Sequence, residues 1–300
     1  MRNKAVIIIF FYSLLFIFYP GDHLVAKRLS DFKDKLEVKG ERKKLFRVVY
    51  LENKTLPQVS AKALFIVDMK DFIPLYEKNF KKKVYPASTT KIITALVARD
   101  LYNLEDIIEV KREIKEGRVM NLEKGERISV ENLLYGLLIH SANDAAFALA
   151  DAVGYEKFVF YMNQKAKEIG MKNTNFTNPA GFDHPLHYTT AYDLALASYK
   201  LLQDPFLRKV VGIKEIVVSD VEFKRFHRLL NVNRLLGDIP GVAGLKTGYT
   251  PAAGENLISL YKTSNSGILL VVLGSQDRFS DTQKLIYWLK ENIREKVVEF

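Results

Sequence analysis

Two hydrophobic periods alternate along the chain, and each changes place with the other at recognisable turns. Lys62-Ala-Leu-Phe-Ile-Val-Asp68 is an unbroken apolar block of strand length. The turn Met69-Lys70-Asp71 leads to a second strand, Phe72-Ile-Pro-Leu-Tyr-Glu77. The period then lengthens. Pro86 precedes a helical run from Lys91 to Arg99, with Ser88 at its entrance, and Ser129 caps a helix carrying Leu133, Leu134 and Leu137. A further helix runs to Val153 and stops at Gly154, and another runs from Tyr155 to Gly170. Thr190 with Asp193 three residues on predicts a capping box at the head of the next helix. Towards the C-terminus, Glu215–Val218, Asn256–Tyr261 and Gly267–Leu273 read as strands, and Asp281 to Val298 as a closing helix. Strands first, helices in the middle and strands last imply an α+β fold in which the terminal strands share one largely antiparallel sheet.

The N-terminus departs from both patterns. Arg2 and Lys4 precede an uncharged stretch from Ala5 to Tyr19, which Pro20-Gly21-Asp22 ends. As a helix it would span about 22 Å, short of the roughly 30 Å hydrocarbon core, and it has no polar face. Residues 1–26 are therefore expected to be a signal peptide or signal anchor, which places the protein outside the cytoplasm. Residues 27–57 are expected to be a basic tether and residues 58–300 a single catalytic-size domain.

Charge sharpens that division. The formal charge of the 300 residues is +10, and residues 1–54 alone carry 12 Lys+Arg against 6 Asp+Glu. Acidic residues interleave and no nucleic-acid motif presents the charge, so the segment reads as a solvated tether with some attraction to an anionic membrane or wall surface. Cysteine is absent, which excludes a disulfide scaffold, thiolate metal sites and a Cys nucleophile. No cofactor motif occurs. His184, His187 and Asp193 lie in a turn and a helix cap, which argues against a metal site. No Gly-x-Ser-x-Gly elbow supports a histidine triad, and His140 reads as packing.

Three short elements carry the chemistry. Ser88-Thr-Thr-Lys91 places a hydroxyl and an amine on one helical face, where a desolvated Lys can take the proton of a Ser. The same spacing at Ser30/Lys33 and Ser259/Lys262 lacks a helix entrance. Ser141-Ala-Asn143 sits in a turn between helices, with a hydroxyl to relay a proton and an amide to hold a peptide. Lys246-Thr247-Gly248 is the rarest of the three by composition. On an edge strand it offers a cation and a hydroxyl to a carboxylate, beside a Gly that admits a substrate backbone.

Together with Tyr85-Pro-Ala-Ser, His140-Ser-Ala-Asn-Asp, Asn178-Pro-Ala-Gly181, His187-Tyr-Thr-Thr-Ala-Tyr-Asp193, Asn233-Arg-Leu-Leu-Gly237 and Pro240-Gly-Val-Ala-Gly-Leu-Lys-Thr-Gly-Tyr-Thr250, these elements resemble the low-molecular-mass penicillin-binding proteins, the serine D-alanyl-D-alanine carboxypeptidases. The likeness covers roughly residues 58–298. It implies a β-lactamase/penicillin-binding transpeptidase-like fold, with a mainly antiparallel sheet flanked by helices and a largely helical subdomain. It also implies that Ser88 is acylated by peptidoglycan stem peptides, with Lys91 as base and Ser141 as proton shuttle. By the same resemblance, Asn143 positions the peptide, Lys246, Thr247 and Gly248 receive its end, and the N–H groups of Ser88 and Tyr249 form an oxyanion hole. Arg278 stands near the terminal carboxylate, β-lactams are covalent inhibitors, and no cofactor is used.

The sequence departs from that family in two places. Ala243 stands where the family usually has Asp, and only 52 residues follow Gly248, too few for the additional β-rich domain and membrane helix of many relatives. Other readings are a D,D-endopeptidase that cuts cross-links and a catalytically silent wall-binding relative. A class A β-lactamase would need a deacylating Glu with Asn four residues on, and Glu168 is followed there by Lys172.

Overall fold

The structure, a computed structural model, describes residues 45–263 and 266–299. The expected signal peptide or signal anchor, residues 1–26, and most of the expected tether lie outside the described residues. The described residues divide into two compact units, one of residues 45–50 with 294–299 and the other within residues 51–293.

The larger unit is built on an antiparallel sheet of five strands: β2 (Ala63–Asp68), β3 (Ile73–Lys78), β8 (Val242–Thr250), β9 (Gly254–Lys262) and β10 (Gly267–Ser275), in the order β3-β2-β10-β9-β8. Every residue of β2 is buried. Ala63, Phe65 and Val67 join Leu269, Val271 and Leu273 in the main core, so the alternate residues, including Leu64, Ile66 and Leu270, face the other side. Helix α5 (Ala191–Gln203) packs on β2 and β10, and helix α7 (Arg278–Asn292) packs on β9 and β10. A sheet covered on both faces explains why its central strands read as continuous apolar blocks rather than alternating ones.

Between β3 and β8 lies the helical part: α1 (Lys91–Leu101), α2 (Val130–Tyr135), α3 (Asn143–Val153), α4 (Tyr155–Ile169), α5 and α6 (Pro205–Val210). Two small antiparallel ladders accompany it, β4 (Ile107–Glu109) with β5 (Arg127–Ser129), and β6 (Glu215–Ser219) with β7 (Phe226–Leu230). The caps read from sequence are present. Ser129 Oγ accepts from Asn132 N–H at 3.2 Å and Thr190 Oγ1 from Asp193 N–H at 3.0 Å. The reciprocal half of the second box is missing, because Asp193 instead accepts from the N–H of Asn173 and the hydroxyl of Thr174.

Three expectations need correction. Glu215–Ser219 does not join the main sheet; it pairs with Phe226–Leu230 in a separate hairpin. The closing helix ends at Asn292, and Ile293–Glu299 is a strand (β11). Its partner is Leu45–Leu51 (β1), inside the segment expected to be tether throughout. The β-branched Ile293, Val297 and Val298 suit a strand once a second strand supplies the hydrogen bonds. Among the described residues, no helix is long and apolar enough to cross a membrane.

Candidate active site

Ser88 is fixed before its helix begins. Residues Ala87–Thr90 form a 3-10 turn that runs directly into α1. Asn256, completely buried on β9, donates from Nδ2 to the carbonyls of Tyr85 and Pro86, each at 3.1 Å, and accepts from Gly274 N–H at 2.8 Å. Thr89 Oγ1 donates to the Pro86 carbonyl at 2.7 Å. From the other side, Asn178 Oδ1 accepts from the N–H groups of Gly181 and Phe182, which turns the chain so that the Ala180 carbonyl reaches Lys91. The backbone of Gly181 lies so close to the Ser88 turn that an added Cβ would fall 1.9 Å from the Ala87 oxygen.

Lys91 is completely buried and its Nζ has three neighbours: Ser88 Oγ at 3.0 Å, Asn143 Oδ1 at 2.7 Å and the Ala180 carbonyl at 2.8 Å. Burial lowers its pKa from 10.5 to about 7, against the opposing charge of Asp144. A neutral amine has two N–H donors and one lone pair. Two of its neighbours are carbonyl oxygens, which only accept, so they take both donors and leave the lone pair for the Ser88 hydroxyl. An amine so placed can act as a base towards the Ser88 hydroxyl.

A second trio stands opposite. Ser141 ends a π-type turn, Gly136–His140, with φ of 64°, and the following helix α3 starts at Asn143. Lys246 Nζ, 2% exposed, donates to Ser141 Oγ at 2.8 Å and to the Thr247 carbonyl at 2.9 Å. Its pKa lies well below the ordinary lysine value, through burial first and then the charges of Lys91, Arg278 and Arg118. The edge strand β8 brings Gly248 against the Ser88 turn, where an added Cβ would lie 3.0 Å from Ser88 N and 3.1 Å from the Pro86 carbonyl. Arg278 Nη1 donates to the Gly248 carbonyl at 2.8 Å, while its buried Nε has no partner. Burial also lowers the Arg278 pKa. Tyr249 directs its ring outwards, 59% exposed.

The three sequence elements and Arg278 are thus gathered around one edge of the sheet. Asn143 Nδ2 donates to the Glu116 carbonyl at 2.7 Å, so its amide is held at both ends. Sequence reasoning missed Asn256 as a brace, although a lone amide in an apolar strand is a usable signal. Nothing in the Asn178-Pro-Ala-Gly181 stretch itself signals that its turn supplies an acceptor for Lys91. His187 bridges Thr177 and Thr90. Its Nδ1 accepts from Thr177 N–H at 3.0 Å, its Nε2 lies 2.9 Å from Thr90 Oγ1, and burial lowers its pKa to about 4.

A family model described as D-alanyl-D-alanine carboxypeptidase matches residues 51–277. The chain belongs to this family. Similar members include D-alanyl-D-alanine carboxypeptidase DacF of Bacillus subtilis, 36% identical over 72% of this chain and 57% of the relative. DacC of Escherichia coli is 34% identical over 77% and 62% respectively. The chain thus spans about six tenths of the length of these curated relatives. Among solved structures, the D-alanyl-D-alanine carboxypeptidase DacD of Francisella tularensis superposes with a TM-score of 0.73 at 30% identity, covering 79% of this chain and 72% of that one. A Streptomyces DD-transpeptidase gives 0.73 at 27% identity, covering 78% and 98%. These likenesses bear out the fold class, an α+β penicillin-binding architecture with its antiparallel sheet and helical part.

Proposed function

We propose that this protein is a serine-type D-alanyl-D-alanine carboxypeptidase that removes the terminal D-Ala from peptidoglycan stem peptides outside the cytoplasm. The observation that carries the reading is the buried Lys91 amine, whose two donors are occupied by carbonyls and whose lone pair is left for Ser88. Lys91 takes the Ser88 proton as Oγ bonds to the carbonyl carbon between the two D-alanines. The oxyanion forms within reach of the N–H groups of Ser88 and Tyr249. The C–N bond then breaks, and Ser141, linked to Lys246, passes a proton to the leaving amine. Asn143 positions the peptide, and Lys246, Thr247 and Arg278 receive the terminal carboxylate beside Gly248. Water attacks the ester on Ser88 and releases the shortened peptide. β-Lactams acylate the same Ser88. The apolar lead of residues 5–19 supports export, and the basic segment after it supports contact with an anionic membrane or wall surface.

The DD-transpeptidase among the structural neighbours supports a second acceptor for the acyl group, an amine in place of water. One experiment separates the readings. The protein is incubated with a peptide ending in D-Ala-D-Ala, with and without added glycine, and with a cross-linked dimer. Loss of one D-Ala from the monomer is the expected result. Glycine incorporation would indicate transfer, and cleavage of the dimer alone an endopeptidase. No reaction with any substrate by folded protein would overturn the proposal in favour of a silent wall-binding role.

A further inference from the structure

His227 is a buried histidine that the proposed reaction does not use, and both of its ring nitrogens are engaged. It stands on β7 with Nδ1 2.8 Å from the Met120 carbonyl and Nε2 2.7 Å from Glu126 Oε1. His227 is 6% exposed and Glu126 3%. The Met120 carbonyl only accepts, so Nδ1 carries a proton. The contact between Nε2 and Oε1 needs a second proton, since a lone pair facing a carboxylate at that distance is repulsive. Glu126 Oε2 is occupied by Glu123 N–H at 3.1 Å, and the hydrogen bond and charge of Glu126 favour the shared proton on the ring.

The two residues that His227 grips belong to the long connection between β4 and β5, and that connection wraps Asn143. The Glu116 carbonyl accepts from Asn143 Nδ2, and the Arg118 carbonyl from Asn143 N–H, both at 2.7 Å. A Cβ on Gly117 would lie 2.6 Å from Asn143 Nδ2. Asp144, the next residue, accepts from the N–H groups of Met120 and Leu122 at 3.0 Å each. Met120 is therefore clamped at both ends, its N–H by Asp144 and its carbonyl by His227. Asn143 in turn is one of the two carbonyl acceptors that aim the lone pair of Lys91.

We infer that His227 and Glu126 are positioning residues, an imidazolium–carboxylate lock that holds residues 116–126 around Asn143, and that the lock opens when the ring loses its proton. The groups that face the ring bear this out in sign. Glu126 and Glu123 lie on the connection itself, Asp144 on α3, and Asp220 and Arg225 in the hairpin, with Arg225 paired to Glu123. Burial works against the charged ring, but the hydrogen bond and charge of Glu126, the Met120 carbonyl and Asp144 outweigh it and raise the His227 pKa. A raised pKa means that the lock is closed at low pH and lost as pH climbs through the raised value. It therefore produces an alkaline limb, opposite in sign to the acid limb set by Lys91.

The test rests on the proposed active site for its kinetic arm and is independent of it for its spectroscopic arm. The ring nitrogens of labelled histidine are followed by NMR against pH in the full chain, with the His227 signal assigned by its absence in His227→Gln. Acylation by a fluorescent penicillin is timed over the same range for wild type, His227→Gln and Glu126→Gln. Expected are an imidazolium at pH 7 and an alkaline fall in acylation with the same midpoint as the ring titration. His227→Gln should acylate about tenfold more slowly at pH 7 and lack that limb, because a displaced Asn143 no longer aims Lys91. Glu126→Gln should move both the titration and the limb to lower pH. A neutral ring at pH 7 in wild type, or a limb that stays in place in both folded variants, would overturn the inference. If either variant fails to fold, the wild-type comparison of ring midpoint and kinetic midpoint still decides it. Failure of the carboxypeptidase reading would look different: no D-Ala release, with the ring titration and penicillin acylation intact.

Discussion

Replacing Gly181 by Ala probes the cradle of Ser88 without altering any side chain proposed to react. The new Cβ would lie 1.9 Å from the Ala87 oxygen, 2.3 Å from its carbonyl carbon and 3.0 Å from Ser88 N. Relieving the first contact even to 3.0 Å requires the turn before Ser88 to retreat by about 1 Å, and a shift of that size in a reacting group costs on the order of 10²-fold in rate. The φ of +94° adds about 1–3 kcal/mol of strain, or a fall of several degrees in Tm for a domain of this size. Gly154→Ala is the matched control, because Gly154 also has positive φ, at +100°, but its Cβ would meet nothing within 4 Å. The assay is the second-order rate of acylation by a fluorescent penicillin, beside thermal unfolding. Gly181→Ala should lose about 10²-fold in acylation, and Gly154→Ala should lose only stability. Equal acylation by the two variants would refute the idea that the Asn178–Gly181 turn sets the position of Ser88.

Lys91→Met should abolish acylation while changing the pH dependence of stability. Folding holds Lys91 neutral above about pH 7, whereas the unfolded chain stays protonated to 10.5, a gap of about 5 kcal/mol. The unfolded state binds the extra proton in that window, so wild-type stability gains about 1.4 kcal/mol per pH unit between 7 and 10.5 from this group, and the Met variant does not. Urea unfolding at pH 7 and pH 9 reads the gain of wild type relative to the variant, and parallel curves would contradict it. In wild type, acylation by penicillin should fall about tenfold per pH unit below pH 7, as the Lys91 amine is protonated; a rate flat to pH 5 would remove Lys91 as base. Arg278→Ala should cut kcat/KM about tenfold for a peptide with a free terminal carboxylate and little for its C-terminal amide, because only the former offers an anion to the guanidinium. An equal loss on both peptides would make Arg278 a brace for Gly248 alone.

The parts of this structure that were legible in the sequence are those with a strong local signature. The buried β2 and β10 announce themselves as unbroken apolar blocks, and Ser129, Thr190, Gly154 and Gly170 mark helix ends by their caps. The three elements of the candidate site stand out through residue types and order, and the structure brings them together. What escaped depends on partners distant in the chain. Leu289, Ile293 and Val297 keep a helical spacing across Asn292, and only pairing with Leu45–Leu51 turns the last segment into a strand. Phe226–Leu230 carries Arg228 and His227 among its apolar residues, so it does not read as a strand until Glu215–Ser219 lies beside it. Asn256 acts on Tyr85 and Pro86, some 170 residues earlier, and no spacing rule connects them. The same holds for His227, whose partners Met120 and Glu126 are about a hundred residues away.

The central claim is that Ser88, activated by Lys91, carries the acyl group of a D-Ala-D-Ala peptide. Mixing the protein with such a peptide, quenching in acid and mapping the adduct by mass spectrometry tests it directly. The account predicts one released D-Ala per turnover and an acyl group on the peptide fragment that contains Ser88, both absent in Ser88→Ala. D-Ala release that persists in Ser88→Ala, or an adduct on another residue, would contradict it.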